Sequence, residues 1–425
     1  MESGDHIVSR RAVLGGGAVV AGAALVPAGT AYAGNGPVDG RAVDTVVSRL
    51  DRGLIALRRD IHRHPEVAGR EERTAAVVAR RLRAAGLDVT TGIGGHGVVG
   101  ILTGARRGRT VAYRADMDAV PPDQQINGGP ELAHLCGHDL HTTIGVGVAE
   151  TLARLRDRLA GTVVFVFQPA EEALSGAAAM LAHGVFTGAD PAEIHALHCG
   201  PFPVGQLAVM PGFGLPGLDR GLITLTGPDA AARAERLAAD IGALGTVSPP
   251  AGSADLERLV ADLRVPDGPL ARYVFMRAGA AEGQVRVSYR CWPEDRYVEI
   301  RADIDGLAGR YGGTLVPDPG DPFPAMVCPE REGRALERHL RRTLGPERVP
   351  ELHAAIPYSG EDFALFLKRM PGTFTFLGVR TPGADIQTSY PHFGLFDPDE
   401  RAIGLGVRAM AGWLARRAGQ APAIA

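Results

Sequence analysis

The stretch Leu135–Thr142, read L-C-G-H-D-L-H-T, carries the densest chemistry in the chain. A thiolate and an imidazole two residues apart, Cys136 and His138, can reach one cation if the backbone between them is extended. Asp139 and His141, directly behind, can then hold those ligands in orientation and tautomer. A second cluster, Q-P-A-E-E, ends in Glu171 and Glu172 after the apolar run Thr162 to Phe167. Adjacent carboxylates divide the labour well, one holding metal while its neighbour takes a proton from an activated water. His198 and His392 complete the set. A lone histidine is more often structural than a ligand. Six such residues at strand ends or on adjoining loops point instead to metal-assisted hydrolysis, because a bound cation brings the pKa of water near neutrality.

These residues need elements to position them. The run T-T-I-G-V-G-V-A-E-T-L-A-R-L after the cluster predicts an amphipathic helix, with the cluster on the loop that enters it. Two helices are expected near the start, Val43 to Arg63 and Glu71 to Ala85, the second stopped by Gly86. His62 and His64 lie beside Pro65-Glu66 between them. Strands are expected at Val98 to Thr103, at Thr110 to Ala115 running into Asp116-Met117-Asp118, and at Glu193 to His198. Carboxylates at the carboxyl end of a strand sit where open α/β sheets keep their chemistry. Alternating strands and helices predict an α/β fold, with a mostly parallel sheet and helices on both faces.

From about Leu215 the pattern changes to short strands (222–225, 273–276, 284–292) interleaved with helices (229–244, 254–263, 296–311). This reads as a separate α+β insertion over 215–325. It divides a catalytic domain into 41–214 and 326–418, the second part holding Ser359-Gly360-Glu361-Asp362, a strand T-F-T-F-L-G and a last helix.

The 425 residues, 45% hydrophobic, are enough for two domains, and a formal charge of -3 gives no reason to expect nucleic acid. Four scattered cysteines do not make a disulfide scaffold. Residues 1–33 read as a twin-arginine signal: Ser9-Arg10-Arg11-Ala12-Val13-Leu14, a glycine- and alanine-rich apolar run, then Ala31-Tyr32-Ala33 as a cleavage site. The apolar run is too short for a stable membrane span. The expected destination is periplasmic, extracellular or cell-wall associated.

Seven segments together resemble a known family: R-R-D-I-H-R-H-P-E, Y-R-A-D-M-D-A-V, L-C-G-H-D-L-H-T, Q-P-A-E-E, H-A-L-H, S-G-E-D-F and H-F-G-L-F-D-P-D-E. They look like the zinc-dependent aminoacylase/carboxypeptidase family of metallopeptidases, in the branch of hippurate hydrolase and the N-acyl-amino-acid amidohydrolases. The resemblance implies two divalent metal ions, zinc first and manganese, cobalt or nickel as alternatives, held by Cys136, His138, Glu172, His198 and His392. It implies Glu171 as general base, then acid for the leaving amine, and Cys136 where other branches share a carboxylate between the metals. Asp118 looks like the family's supporting aspartate behind the ligands, and Asp116 stands where other branches have a metal-binding His. The implied substrate is an N-acyl amino acid or related conjugate. The implied fold adds a ferredoxin-like lid that makes a homodimer.

The lid departs from the family pattern. Where relatives carry a G-G-H-type motif, this chain has Leu225-Thr226-Gly227-Pro228-Asp229-Ala230, with no histidine between His198 and His339 and no asparagine beyond Asn127. Arg233, Arg286 or Arg290 could replace the missing donors. Two other readings stay open: a dipeptidase or carboxypeptidase of the same family, and a non-catalytic metal-binding module with a degenerate lid.

Overall fold

The computed structural model describes residues 36–421; the signal segment read at 1–33 lies outside the described residues. The chain begins with α1 (Gly40–His62), whose first turn is capped by the Asp39 carboxylate accepting the Ala42 N–H. Helix α2 (Glu72–Ala84) follows, then β1 (Asp88–Ile93), β2 (Gly97–Thr103) and β3 (Arg106–Asp116). Next come α3 (His138–Arg154), β4 (Ala160–Gln168), α4 (Gly176–Ala182), β5 (Ile194–Pro203), β6 (Leu207–Val209) and β7 (Gly214–Leu215).

The insertion contains β8 (Asp219–Thr224), α5 (Ala230–Gly242), α6 (Ser253–Asp262), β9 (Tyr273–Ala281), β10 (Gln284–Trp292), α7 (Tyr297–Arg310) and β11 (Leu315–Pro317). The chain then returns through β12 (Met326–Val327), α8 (Glu330–Leu344), α9 (Phe363–Leu367), β13 (Gly372–Arg380) and α10 (Arg401–Ala418).

Seven strands form the main sheet in the order β1–β2–β4–β3–β5–β13–β6. The central four, β4, β3, β5 and β13, run parallel, while β1, β2 and β6 add antiparallel edges. The expected mostly parallel sheet is present, with the chemistry at the carboxyl ends of its parallel strands. Helices α1, α3 and α10 pack on one face, and α4 and α9 on the other. Alternation along β4 makes this possible: Val164 and Val166 join the core under α4 and α9, while Phe167 packs on Gly145 of α3. Each fully buried aliphatic or aromatic side chain contributes about 1.5–3 kcal/mol, so this double core dominates the stability of the frame.

The insertion is a β-α-β-β-α-β unit with sheet order β11–β8–β10–β9, all antiparallel. This is the ferredoxin-like arrangement. Helices α5 and α7 cover one face through Leu237, Ile241, Ile304 and Leu307. Helix α6 does not belong to that core. Its Leu256 and Leu259 are buried with residues of the main sheet instead. No described helix is long and apolar enough to cross a membrane.

Candidate metal centre

The loop between β3 and the cluster, the turn after β4 and the middle of β5, which carries His198, come together at the sheet. Cys136 and His138 come together by a different route from the one expected. The backbone between them is not extended: Gly137 has φ +86° and caps α3 in the left-handed conformation, folding both side chains toward one point. A Cβ at Gly137 would also meet Cys199 Sγ at 2.6 Å, so glycine is required twice over.

Three histidines share one arrangement. His138 Nδ1 lies 2.9 Å from the Asp118 carbonyl, His198 Nδ1 lies 2.8 Å from the Cys199 carbonyl, and His392 Nδ1 lies 3.1 Å from the Gln124 carbonyl. A carbonyl can only accept, so each Nδ1 carries a proton and each Nε2 faces the cluster. Nε2 of His198 is 3.4 Å from Cys136 Sγ, and Nε2 of His392 is 3.4 Å from Glu172 Oε2. Among the described residues the ligand-capable atoms form five overlapping groups within 4.8 Å. Two of them, Cys136–His138–His198 and Cys136–Glu172–His392, share Cys136, and the others are Asp116–His138–His141, His138–Glu171–Glu172 and Glu171–Glu361–Asp362.

The surrounding side chains fix this geometry. Asp118 receives the His138 ring at 3.2 Å through one oxygen and the Glu172 N–H at 2.9 Å through the other. His141 packs its ring 4.5 Å from that of His198. Its own hydrogen bonds go to Asp116 Oδ1 at 2.6 Å and from the Cys199 N–H at 2.8 Å, which makes it a neutral Nδ1–H tautomer. Asp139 turns away from the ligands. It forms an ion pair with Arg58 and a hydrogen bond with His62 Nδ1, both at 2.8 Å, and so ties the start of α3 to α1. Asp116 has both oxygens engaged, by His141 and by Arg114 at 2.5 Å, and that fixed cation disfavours a metal at this carboxylate.

Arg114 was not anticipated. Fully buried, it also reaches Glu361 Oε1 at 3.0 Å and Asp362 Oδ1 at 3.2 Å. It joins the end of β3 to the S-G-E-D loop. An arginine inside the otherwise apolar T-V-A-Y-R-A run was the available signal, since a charge on a buried strand needs a partner. Glu71 was also missed. Its Oε1 accepts the Gly69 and Ala170 N–H groups, both at 2.8 Å, and so holds the turn that presents Glu171 and Glu172.

Electrostatics separate the two adjacent carboxylates. Burial, and then the charges of Glu361, Glu172 and Asp362, push the Glu171 carboxyl well above its usual range. Burial also works against a charged Glu172, but His392 and His138 hold it down to about 2. One member of the pair keeps a high proton affinity while the other stays ionised, as a base beside a ligand requires. Burial likewise lifts the Cys136 thiol, with Glu172 and Glu171 adding to it.

A metal pair fits these residues by their own chemistry. His138 Nε2 and Glu172 Oε1 are buried without a hydrogen-bond partner, at the place where a cation would supply one. Thiolate, imidazole and carboxylate are the donors that divalent zinc and its neighbours take.

Of the three candidate lid arginines, the structure selects one. Arg233 points within the lid, to the Tyr311 and Thr226 carbonyls, and Arg286 is exposed. Arg290 reaches from the lid to Gly360, whose neighbour Glu361 lies within 4.8 Å of Glu171. Burial pulls its guanidinium down to about 10. It bonds only the Gly217 and Pro216 carbonyls, at 3.2 and 3.4 Å. A Cβ on Gly360 would meet Arg290 Nη1 at 2.6 Å, which explains the glycine of S-G-E-D.

Comparison with known proteins gives the family. Residues 112–416 match the model of peptidase family M20/M25/M40. An N-acetylcysteine deacetylase of Bacillus subtilis is 30% identical over 82% of this chain and 93% of its own length. An N-acetyldiaminopimelate deacetylase of Bacillus pumilus is 30% identical over 86% and 98%. The crystal structure of a Bacillus subtilis dinuclear metal-binding peptidase from family M20 superposes with a TM-score of 0.65 at 26% identity, covering 87% of this chain and 99% of that one. The chain therefore belongs to peptidase family M20/M25/M40, a family of metal-dependent amide and peptide hydrolases.

Proposed function

We propose that this hydrolase cleaves the amide bond of an N-acyl amino acid or related conjugate, with Cys136, His138, Glu172, His198 and His392 holding two divalent metals, zinc foremost. The observation that carries the reading is the pair of ligand triads sharing Cys136, with Glu171 beside them in a further group with His138 and Glu172. When bound, the metals supply Lewis acidity toward the amide carbonyl and toward an attacking water.

The chain's own residues do the rest. Glu171, with its raised proton affinity, accepts the proton of the attacking water and returns it to the leaving nitrogen. Asp118 keeps the His138 Nε2 aimed at the cluster and holds the Glu172 backbone. Arg290 offers a guanidinium across the cleft for a carboxylate of the substrate or the developing oxyanion. A free α-carboxylate would bind there equally well in a peptide, which favours a second reading, dipeptidase or carboxypeptidase activity.

Purified protein loaded with zinc, manganese, cobalt or nickel, assayed on hippurate, N-acetyl amino acids and dipeptides, distinguishes these readings. Glu171→Gln should keep its metal and lose at least ~100-fold in turnover, whereas Glu172→Gln should lose metal by elemental analysis. Wild-type turnover in the first variant would refute the assignment.

The outer edge of β9 beyond Val274, whose own N–H and carbonyl are taken by Thr246, supports a homodimer formed through the lid. A monomer mass by light scattering would count against it.

A further inference from the structure

The lid sheet has two different faces. Val274, Met276 and Ala278 of β9 and Val285, Val287, Tyr289 and Cys291 of β10 turn toward α5 and α7. The register pairs Arg290 with Phe275, Ser288 with both Arg277 and Arg220, and Arg286 with Gly279 and Leu222. Directly opposed residues share a face, so Arg220, Arg277, Arg286 and Arg290 all lie on the other one.

That face looks toward the main sheet. Phe275 meets Tyr358 edge-on at 5.1 Å, and Trp292 lies 6.1 Å from Phe213. Arg290 closes on Gly360. No Asp or Glu occurs at any position of β8, β9 or β10 that shares this face.

The four arginines differ in their partners. Arg220 is bonded to Asp321 at 2.8 Å, and is neutralised there. Arg290 has only carbonyl oxygens. Arg277 lies 5.2 Å over the Phe275 ring, and neither it nor Arg286 has a carboxylate partner among the described residues. Arg277 is diagonal to both Arg290 and Arg286, a separation of about 7–8 Å between backbones that long side chains readily close. Arg290 stands at the cleft, and Arg277 and Arg286, both exposed, continue its row outward along the same face of the sheet; together the three guanidiniums form a field that favours negative charge.

We infer that Arg277 and Arg286 form, beside Arg290, a subsite for a second anionic group on the amino-acid part of the substrate, so that conjugates of acidic amino acids are the preferred class. The inference rests on the amide-hydrolase reading for its orientation. Glu171 must reach the leaving nitrogen, and Arg290 lies across from Glu171, so the amino-acid part occupies the arginine side of the cleft. One carboxylate then meets Arg290, and a side-chain anion extends along the strip toward Arg277 and Arg286.

The test compares N-acetyl-L-glutamate with N-acetyl-L-glutamine, its neutral isostere, on metal-loaded protein. N-acetyl-O-phospho-L-serine is added to separate a carboxylate from a phosphate preference. Wild-type protein should favour an anionic substrate over glutamine by about 10-fold or more in kcat/KM. The ratio should fall toward unity in Arg277→Gln/Arg286→Gln, and in part in the single Arg286→Gln variant, whose exposed position makes misfolding an unlikely confounder. Equal use of all three substrates by the wild type would overturn the subsite and leave the amide-hydrolase reading intact. If none is turned over, that reading fails. Calorimetry then decides: N-acetylglutamate bound more tightly than N-acetylglutamine, with the difference lost in the double variant, supports the subsite, and equal binding overturns it.

Discussion

Glu71→Ala tests how the candidate base is held. Glu71 is fully buried, and its Oε1 receives the Gly69 and Ala170 N–H groups at 2.8 Å. Ala170 sits at φ +54°, just before Glu171. For a residue with a Cβ, that conformation costs about 1–2 kcal/mol. Hydrogen bonds to a charged acceptor contribute about 1.5–3 kcal/mol each, so the two together supply about 3–6 kcal/mol, enough to hold the strained turn. With alanine at 71 the turn is free to relax and carry Glu171 with it, and a displacement of ~1 Å costs on the order of 100-fold in rate. The assay is kcat, KM and metal per chain, read beside the urea midpoint. Glu71→Gln keeps an accepting oxygen for both N–H groups and should recover most of kcat. Wild-type kcat and metal content in Glu71→Ala would refute the reasoning. Equal damage in both variants would show that charge, not the acceptor, holds the turn.

Other expectations follow from single contacts. His339 is depressed to about 4 by burial, with Arg416 and Arg342 acting the same way, so the native protein keeps it neutral while the unfolded chain takes a proton below its ordinary value of 6.5. Stability should therefore fall as pH drops from 6.5 to about 4, by up to about 3 kcal/mol from this residue; His339→Gln should flatten that limb of a urea-midpoint profile, and an unchanged limb would contradict the burial argument. Gly360→Ala places a methyl against the flexible end of Arg290, so the melting temperature should hold while KM rises about 10-fold; an unchanged KM would show that Arg290 does not meet substrate. Changing Arg10 and Arg11 to lysine should retain the precursor in the cytoplasm on fractionation, because the twin-arginine receptor reads that pair; normal secretion would rule out this export route.

Much of the site could be read from the chain because its parts are local. C-G-H-D-L-H-T and Q-P-A-E-E each place two functional groups within one turn, and the strand runs before them mark which end of the sheet they occupy. The lid was readable in part: two helices and three strands of its β-α-β-β-α-β unit stand out by their periods, while the short last strand β11 is lost in a Pro/Gly-rich exit and the ferredoxin-like order came from the family resemblance. What failed was long-range. Nothing near Asp139 says that its partners are Arg58 and His62, some eighty positions earlier, and nothing near Glu71 names Ala170. The parallel pairing of β13 with β5 is likewise set by packing between segments separated by the whole lid. Helix α6 looked like part of the insertion by position, yet its apolar face is buried against the main core.

The reach of Arg114 has a consequence for the order in which the protein can be made. Its guanidinium belongs to a strand formed early, while Glu361 and Asp362 leave the ribosome some 250 residues later. Until they arrive, the nascent first half can answer that arginine only in part, through Asp116 and the Gln168 side-chain carbonyl. Strand β13 and His392 arrive later still, and both are needed to close the sheet and the cage. The emerging chain thus has no finished site to load with metal. The lid, complete in sequence before the second half appears, can fold first, and the catalytic frame then shuts around a charge that has waited for its partners.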